Sequence, residues 1–495
     1  MSPNQVFLLD DQTPENAITE RALALANADG SAITYDVDGD GLVMAIKSEL
    51  LVLRSIRNTS PILDSELSQI ARNCGTLASI AEPPEESRTE DERSLDLYRP
   101  DESGPAGDVE IWRLTDPNAN SIDEARRLRT ITKDAVIATP KGPELLLPSV
   151  SPHHLCIVSP ANSGCPAGPP LPALAPVHGA FVDPVNEREQ TARVVVIDTG
   201  YMYNDPPNPP HATLDQRVTP VRGWSLNTTT NPATWVLDQP DEPDADRDGA
   251  LDGVAGHGTF NAGLIAHGCR QSKLVVVGQR DDIFPITPNQ PKLFASEVAV
   301  ARALLVHCNA HVIQCGFSFP TLDDKPSIPF ALVMQILSGP GVPVKGVAVV
   351  APAGNEQSKR RYWPAALPDV IGVAATNRRG TRRAHFSNWG RWLDCCTRGE
   401  DVYSTYIWWD GPVDGDPPDE IESFMGWAHW DGTSFAAPKV SAAIAKRLVQ
   451  RGFTDRPVDA FRQLRNGTGG VPMTPLTDMT LSGFPGVTLP NLHLG

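Results

Sequence analysis

The chain has 495 residues, several times the ~100–200 of one domain, so more than one folded unit and a large core are expected. Its 42 Lys and Arg against 60 Asp and Glu leave a net charge of −18, which excludes a generic nucleic-acid binder because phosphate contacts need clustered cations. Proline, at 47 residues, is about twice its ordinary share and announces loops and linkers.

From the N-terminus, the first twenty residues carry acidic side chains and only a short apolar run, which is not the pattern of a secretory leader. No apolar stretch approaches the ~18 residues needed to span a bilayer. The eight Cys lack any C-x-x-C spacing, and a bridge between the adjacent Cys395 and Cys396 would be strained. Reduced, buried thiols and a cytoplasmic location are therefore expected. Residues 1–81 show three- and four-residue apolar spacing over Leu42 to Ile56 and Leu63 to Ile80, which predicts two helices. Residues 82–108 hold ten carboxylates and three Arg and read as a solvated acidic linker. A small α/β unit is expected over 109–164, with a strand Val109 to Leu114, a helix Ser121 to Arg129 capped by Ser121, and a strand Ala135 to Ala138. Residues 165–190, with the run CPAGPPLPALAP, form a Pro-rich connector. In the last large domain, 191–455, strand-like runs (Val194 to Ile197, Leu274 to Val277, Val347 to Val350, Val370 to Ala374) alternate with helical patterns (Phe294 to His307, Ser434 to Arg451). That rhythm predicts an α/β fold: a mostly parallel sheet with helices on both faces. Residues 456–495 read as a tail.

Three short segments of this domain carry chemistry. Arg193-Val-Val-Val-Ile-Asp198-Thr-Gly200 puts a carboxylate where a buried strand breaks into a turn, yet a strand-end Asp is commonly only a turn residue. Gly256-His257-Gly258-Thr259 is followed by small residues that suit close helix packing, and a structural His would look the same. Asp431-Gly432-Thr433-Ser434 opens a helix, where Ser is ordinarily a cap. Taken together they decide the matter, because Asp, then His, then Ser is the chain order of subtilisin and not of the chymotrypsin or α/β-hydrolase triads. A fourth segment, Val347 to Ala351 running into Pro352-Ala353-Gly354-Asn355, delivers an amide ahead of the Ser helix.

With these four motifs in this order, the sequence resembles the subtilisin-like serine proteases, the subtilases, from about Thr191 to Arg451. The resemblance implies a three-layer α/β/α catalytic domain. It also implies a serine endopeptidase acting on protein or peptide substrates, with no cofactor for the chemistry. Residue by residue, it implies Asp198, His257 and Ser434 as the triad and Asn355 as an oxyanion donor. Gly316, Phe317, Ser318, Ala353 and Gly354 fall on the segments that line the family's substrate cleft. Relatives commonly carry an N-terminal α/β prosegment, which the 109–164 unit resembles, so the region before about Thr191 is expected to act as an intramolecular inhibitor or chaperone. The chain departs from the family at Phe260-Asn261, where a second His usually follows Thr, and at Gly316-Phe317-Ser318, where Ser-Leu-Gly is usual. Ser318 is thus expected to crowd the pocket for the residue before the cut.

Two acidic inserts flank the expected cleft. Asp238 to Asp252 holds seven carboxylates and one Arg, and Asp410 to Glu422 holds six carboxylates; either is a solvated loop or a rim that attracts basic segments of a substrate. Within the first, Asp244, Asp246, Asp248 and Asp252 have the spacing of a calcium loop but lack a Glu at its twelfth position. Asp36-Val-Asp38-Gly-Asp40-Gly41 shares that lack and reads better as a plain turn. Trp408, Trp409, Trp427 and Trp430 near the second insert either form a flap over the cleft or bury against the domain. Two other functions fit the same residues: an interaction protein whose cleft is permanently plugged, and a peptide ligase or cyclase that uses the same acyl-enzyme.

Overall fold

The computed structural model describes residues 26–27, 31–38, 41–79, 85–138, 144–158, 170–174, 190–202, 212–238, 242–244, 247–279, 294–339, 341–413, 421–467, 473–475 and 490–492. At its centre is a nine-stranded sheet. The order is Val218–Arg222, Ser272–Gly278, Ala192–Asp198, Val312–Cys315, Ala348–Pro352, Val370–Thr376, Cys395–Arg398, Pro490–Leu492, Met473–Pro475. All neighbours are parallel except the last pair. The central strands are apolar without alternation because both faces are covered. In Ala192–Asp198, Val194 and Val196 pack into one core with Ala262 and Ile265 of helix His257–Gly268 and with Val440 and Ile444 of helix Thr433–Gln450. Val195 and Ile197 pack into the opposite core, with Val298 of helix Glu297–Val306 and Val333 of helix Ile328–Ser338. The four expected strands and the Ser helix are all present, each within two residues of its expected bounds at either end.

The region before residue 160 differs from expectation. Leu42 to Ile56 is not a helix: Gly41–Leu53 is a strand, and only Arg54–Thr59 is helical. The strand pairs on one side with Ile33–Asp38 and Val109–Leu114 and on the other with Val150–Val158. Leu50 and Val52 face helices Pro61–Ile70 and Ser121–Arg129, while Leu51 and Leu53 join the core beneath helices Glu297–Val306 and Ile328–Ser338. Apolar residues on both faces produce a continuous run whose spacing mimics a helix. The second expected helix ends at Ile70, and Ala71–Thr76 turns into another strand of the same sheet. The cap of helix Ser121–Arg129 is Asn120, whose side chain accepts from Ile122 N–H at 2.9 Å, whereas the Ser121 hydroxyl donates to Ile46 O at 2.8 Å. Ala135–Ile137 pairs with Leu145–Leu147 as a separate hairpin.

The expected boundaries therefore dissolve. Strands Ile33–Asp38, Gly41–Leu53, Ala71–Thr76, Val109–Leu114 and Val150–Val158 build one sheet, and its edge is completed by Phe294–Ser296 and Phe317–Ser318, both paired with Val150–Val158. The helix expected from Phe294 starts only at Glu297, because 294–296 is this strand.

The described part of the acidic segment, 85–108, is anchored at particular points while most of its carboxylates stay exposed. Thr89 and Glu92 form a capping box on helix Glu90–Arg93, and the buried Glu92 carboxylate accepts from Arg222 N at 3.0 Å and Nε at 3.2 Å. Burial opposes its ionisation, but the Thr89 and Arg222 donors hold it below the usual carboxylate range. Further along, Tyr98 N–H donates to Val306 O at 2.9 Å. Of the connector, Leu171–Pro172 pairs with Ala428 and His429; most of the rest lies outside the described residues. The expected tail contributes helix Pro457–Arg465 and two strands of the main sheet. Seven cysteines are described, all free and buried. No helix among the described residues is long and apolar enough to cross a membrane.

Two buried His–carboxylate pairs lie where the N-terminal sheet meets the rest of the chain, the first within the sheet and the second joining it to helix Glu297–Val306. His153 Nδ1 lies 2.7 Å from Glu49 Oε2, and Thr228 and Arg113 also contact Glu49. At the next residue, His154 N–H donates to Glu297 Oε1 at 2.8 Å and its ring Nδ1 lies 2.7 Å from the same oxygen. Leu322 N–H donates to His154 Nε2 at 3.1 Å, so Nε2 is the acceptor and Nδ1 carries the proton toward Glu297.

Candidate active site

Asp198 is the last residue of its strand, at the carboxyl end of the sheet where open α/β folds place their sites. Its carboxylate is fully engaged. Oδ1 lies 2.6 Å from His257 Nδ1 and accepts from Thr199 N–H at 2.7 Å, while Oδ2 accepts from Asn261 Nδ2 at 2.9 Å. Gly316 makes room for it, since a Cβ there would stand 2.1 Å from Oδ2. This residue was expected to line the substrate cleft; its absent side chain serves the catalytic carboxylate.

His257 opens helix His257–Gly268. Gly256 precedes it at φ 73°, and a Cβ on Gly258 would lie 2.0 Å from Gly200 O. Both glycines are thus required to bring the helix start against the Asp198 turn. With Nδ1 committed to Asp198, Nε2 has no hydrogen-bond partner among the described residues and carries the lone pair of a general base. The ring is held edge-on to Trp430 (5.6 Å between centroids) and against Phe435 (5.2 Å).

Ser434 is the second residue of helix Thr433–Gln450, which starts after Gly432 with no side-chain cap; neither Ser434 nor Thr433 is the cap considered from the sequence. Thr433 instead ties three segments together. Its hydroxyl accepts from Gly354 N–H at 3.1 Å and donates to Asn355 Oδ1 at 2.9 Å, and its own N–H donates to that oxygen at 2.9 Å. These contacts hold the Asn355 carboxamide next to the N-terminus of helix Thr433–Gln450, with its positive end. Nε2 of His257 and the Ser434 hydroxyl are not hydrogen-bonded here, a contact that commonly tightens only when substrate binds. Asp198, His257, Asn355 and Ser434 are each at most 1% exposed. If Asn355 is an oxyanion donor, Asn355→Ala lowers kcat by about 10²–10³, the size of this loss in subtilisin, with little change in KM; a raised KM at unchanged kcat would remove the residue from that role.

Of the segments expected to line the cleft, one is paired within the chain. Phe317 and Ser318 form an antiparallel ladder with Val158 and Ile157, and Ile157 pairs on its other side with Phe294. The chain's own backbone thus runs between two strands as an extended peptide would. Ala353 and Gly354 (φ 93°) are buried beside Asn355.

The Trp-rich insert is a long hairpin, Val402–Gly411 with Glu422–Trp430. Trp430 and Trp427 are buried, Trp427 stacking on Tyr403 at 5.4 Å, whereas Trp408 is 44% exposed. Residues 414–420 of the acidic insert lie outside the described residues. Next to the hairpin's end, the Asp431 carboxyl is pushed up from 3.8 to about 6, chiefly by burial and further by the Glu400 and Asp401 charges, while the Asp401 N–H and Arg398 oppose the rise. The folded chain therefore keeps, between about pH 4 and 6, a proton that the unfolded chain has lost. Stability falls across that window and the penalty is complete above it. Asp431→Asn is accordingly expected to raise Tm at pH 8 and leave it unchanged at pH 3.5; equal shifts at both would contradict the assignment.

The acidic loop before His257 is partly accounted for by its own backbone. Asp244 accepts from Asp248 N–H (3.1 Å) and Gly249 N–H (3.0 Å), and Asp248 accepts from Ala250 N–H (2.9 Å). Asp252 is buried, and Asp246 lies outside the described residues. Among the described residues no group of three or more His, Cys, Asp or Glu could hold a metal ion. In the other acidic segment, Asp38 and Gly41 face each other as the ends of a hairpin.

Sequence reasoning assigned Asn261 and Thr433 no role at the site and left Trp430 between a flap and a buried position; the ring is buried and lies against His257. Asn261 had a signal, since it sits four residues after His257 and so on the same helix face; the place of Trp430 depends on a hairpin closing over the site.

Several known proteins resemble parts of this chain. Residues 189–461 match the model of the subtilase family. A thermophilic serine proteinase from Bacillus sp. (strain AK1) is 28% identical over 264 residues, 52% of this chain and 52% of that protein, so the match spans about half the length of this relative. Subtilisin Savinase from Lederbergia lenta is 28% identical over 192 residues, 38% of this chain and 62% of that protein. Among solved structures, fervidolysin from Fervidobacterium pennivorans, a keratinolytic enzyme related to subtilisin, aligns with a TM-score of 0.49 at 16% identity, covering 87% of this chain and 58% of that one.

Proposed function

Because this chain belongs to the subtilase family, we propose that it is a serine endopeptidase whose cleft is restrained by its own Val150–Val158 strand. The observation that carries the reading is the engaged Asp198–His257 pair, with a base nitrogen left for Ser434. In this mechanism Ser434 attacks the scissile carbonyl as His257 Nε2 takes its proton. Asp198 holds the ring tautomer and stabilises the imidazolium, and Asn355 with the Ser434 N–H meets the oxyanion. The imidazolium then protonates the leaving amine. Water repeats the sequence on the acyl-enzyme.

The restraint rests on the two-sided pairing of Ile157 with Ser318 and Phe294. A substrate must displace that strand or find it already displaced. The same pairing favours the second reading, a permanently plugged interaction protein. Ile157→Pro separates the two by removing an N–H from the ladder. Restraint predicts faster hydrolysis of a short peptide by the variant than by the parent chain, whereas a permanent plug predicts no hydrolysis by either.

A further inference from the structure

We propose that Asn261 is a positioning residue that orients the Asp198 carboxylate and tunes the basicity of His257 through it. Asn261 is fully buried one helical turn beyond His257, and its Nδ2 donates to Asp198 Oδ2 at 2.9 Å. The sense of the amide is fixed by charge: turned the other way, its carbonyl oxygen would face the carboxylate at the same distance. In the orientation present, Oδ1 has no hydrogen-bond partner among the described residues, and Nδ2 makes its short contact to Asp198 and a longer one, 3.4 Å, to His257 Nδ1. Such a buried, half-satisfied amide costs stability, which an apolar side chain of the same size would avoid.

The consequence lies on the charge of the dyad. Oδ1 of Asp198 already carries His257 and the Thr199 N–H, so Asn261 is the side chain that holds Oδ2 and prevents the carboxylate from rotating about its bond. Its N–H also draws charge toward Oδ2 and away from the oxygen that faces the imidazole. Loss of this donor makes the carboxylate a stronger partner for the imidazolium, and the ring titrates at higher pH. Other titratable influence on Asp198 comes from the Cys315 thiol, which burial pushes up to about 12 and so keeps uncharged. The rings of Trp430 and Phe435 that face His257 carry no charge.

The test reads the ring rather than turnover, so it stands or falls separately from the peptidase assignment. In the full chain labelled with 13C-histidine, the His257 signal is assigned by its loss in His257→Gln and followed against pH. Asn261→Leu, near in size, is expected to raise the titration midpoint by about 0.5–1 unit. Asn261→Ala, which removes the donor without adding bulk, is expected to shift it in the same direction and covers the case in which leucine does not fit. With a peptide substrate, kcat of Asn261→Leu falls roughly tenfold while KM holds, as for loss of a group that acts through the base. Midpoints within 0.2 unit of the parent in both variants, with only Tm lowered, would reduce Asn261 to packing and overturn the proposal.

Discussion

Replacing Ser434 by alanine is expected to lower peptide hydrolysis by a factor on the order of 10⁶, the size of the corresponding loss in subtilisin, and to leave Tm nearly unchanged. The two halves of this expectation come from different features. In the proposed mechanism the hydroxyl is the group that becomes covalently bound, so its removal leaves only binding and oxyanion stabilisation. The backbone of Ser434 lies in a helix whose start is organised by Thr433 and Gly432, and helix Thr433–Gln450 buries Phe435, Ala436 and Val440 whether or not the hydroxyl is present. A variant that keeps appreciable turnover would remove Ser434 from the chemistry. One that unfolds would show that the hydroxyl supports the fold.

The second large effect concerns the N-terminal sheet. Deleting residues 1–189 is expected to cost the catalytic domain its cooperative fold. Leu51, Leu53, Val109 and Ile111 are each fully or almost fully buried in the same core as helices Glu297–Val306 and Ile328–Ser338. At ~1.5–3 kcal/mol per large apolar side chain, these four contribute roughly 6–12 kcal/mol, as much as the whole stability of ~5–15 kcal/mol of an ordinary domain. Their loss would also bare Val298, Phe330 and Val333 to water and leave Glu297 without His154. Supplying residues 26–158 as a separate chain should restore a thermal transition. If residues 190–495 alone unfold cooperatively within a few degrees of the full chain, the sheet is an accessory and its role is only to cover the cleft.

Much of the catalytic machinery was legible in the sequence because each part is local. Asp198, His257, Asn355 and Ser434 each sit in a short segment with its own turn glycines, and the order of the segments is itself informative. The central strands were legible because a parallel sheet buried on both faces forces unbroken apolar runs. The same physics misled at Gly41–Leu53, where burial on both faces of an antiparallel strand produced spacing that suits a helix equally well. Charge misled at 82–108: Glu92 lies in an acidic run, yet a partner 130 residues away, Arg222, makes its burial tolerable. Long-range partners of this kind, like the closure of the Trp430 hairpin on His257, leave no local signal.

The account's central claim is that Ser434 is a nucleophile activated by His257 behind a strand of the chain's own. It is tested most directly by treating the full-length protein with a fluorophosphonate and locating the adduct by mass spectrometry. The account predicts an adduct on Ser434 that forms faster in Ile157→Pro and is lost in His257→Ala. An unmodified Ser434 in both the parent chain and Ile157→Pro, or equal labelling with and without His257, would contradict it.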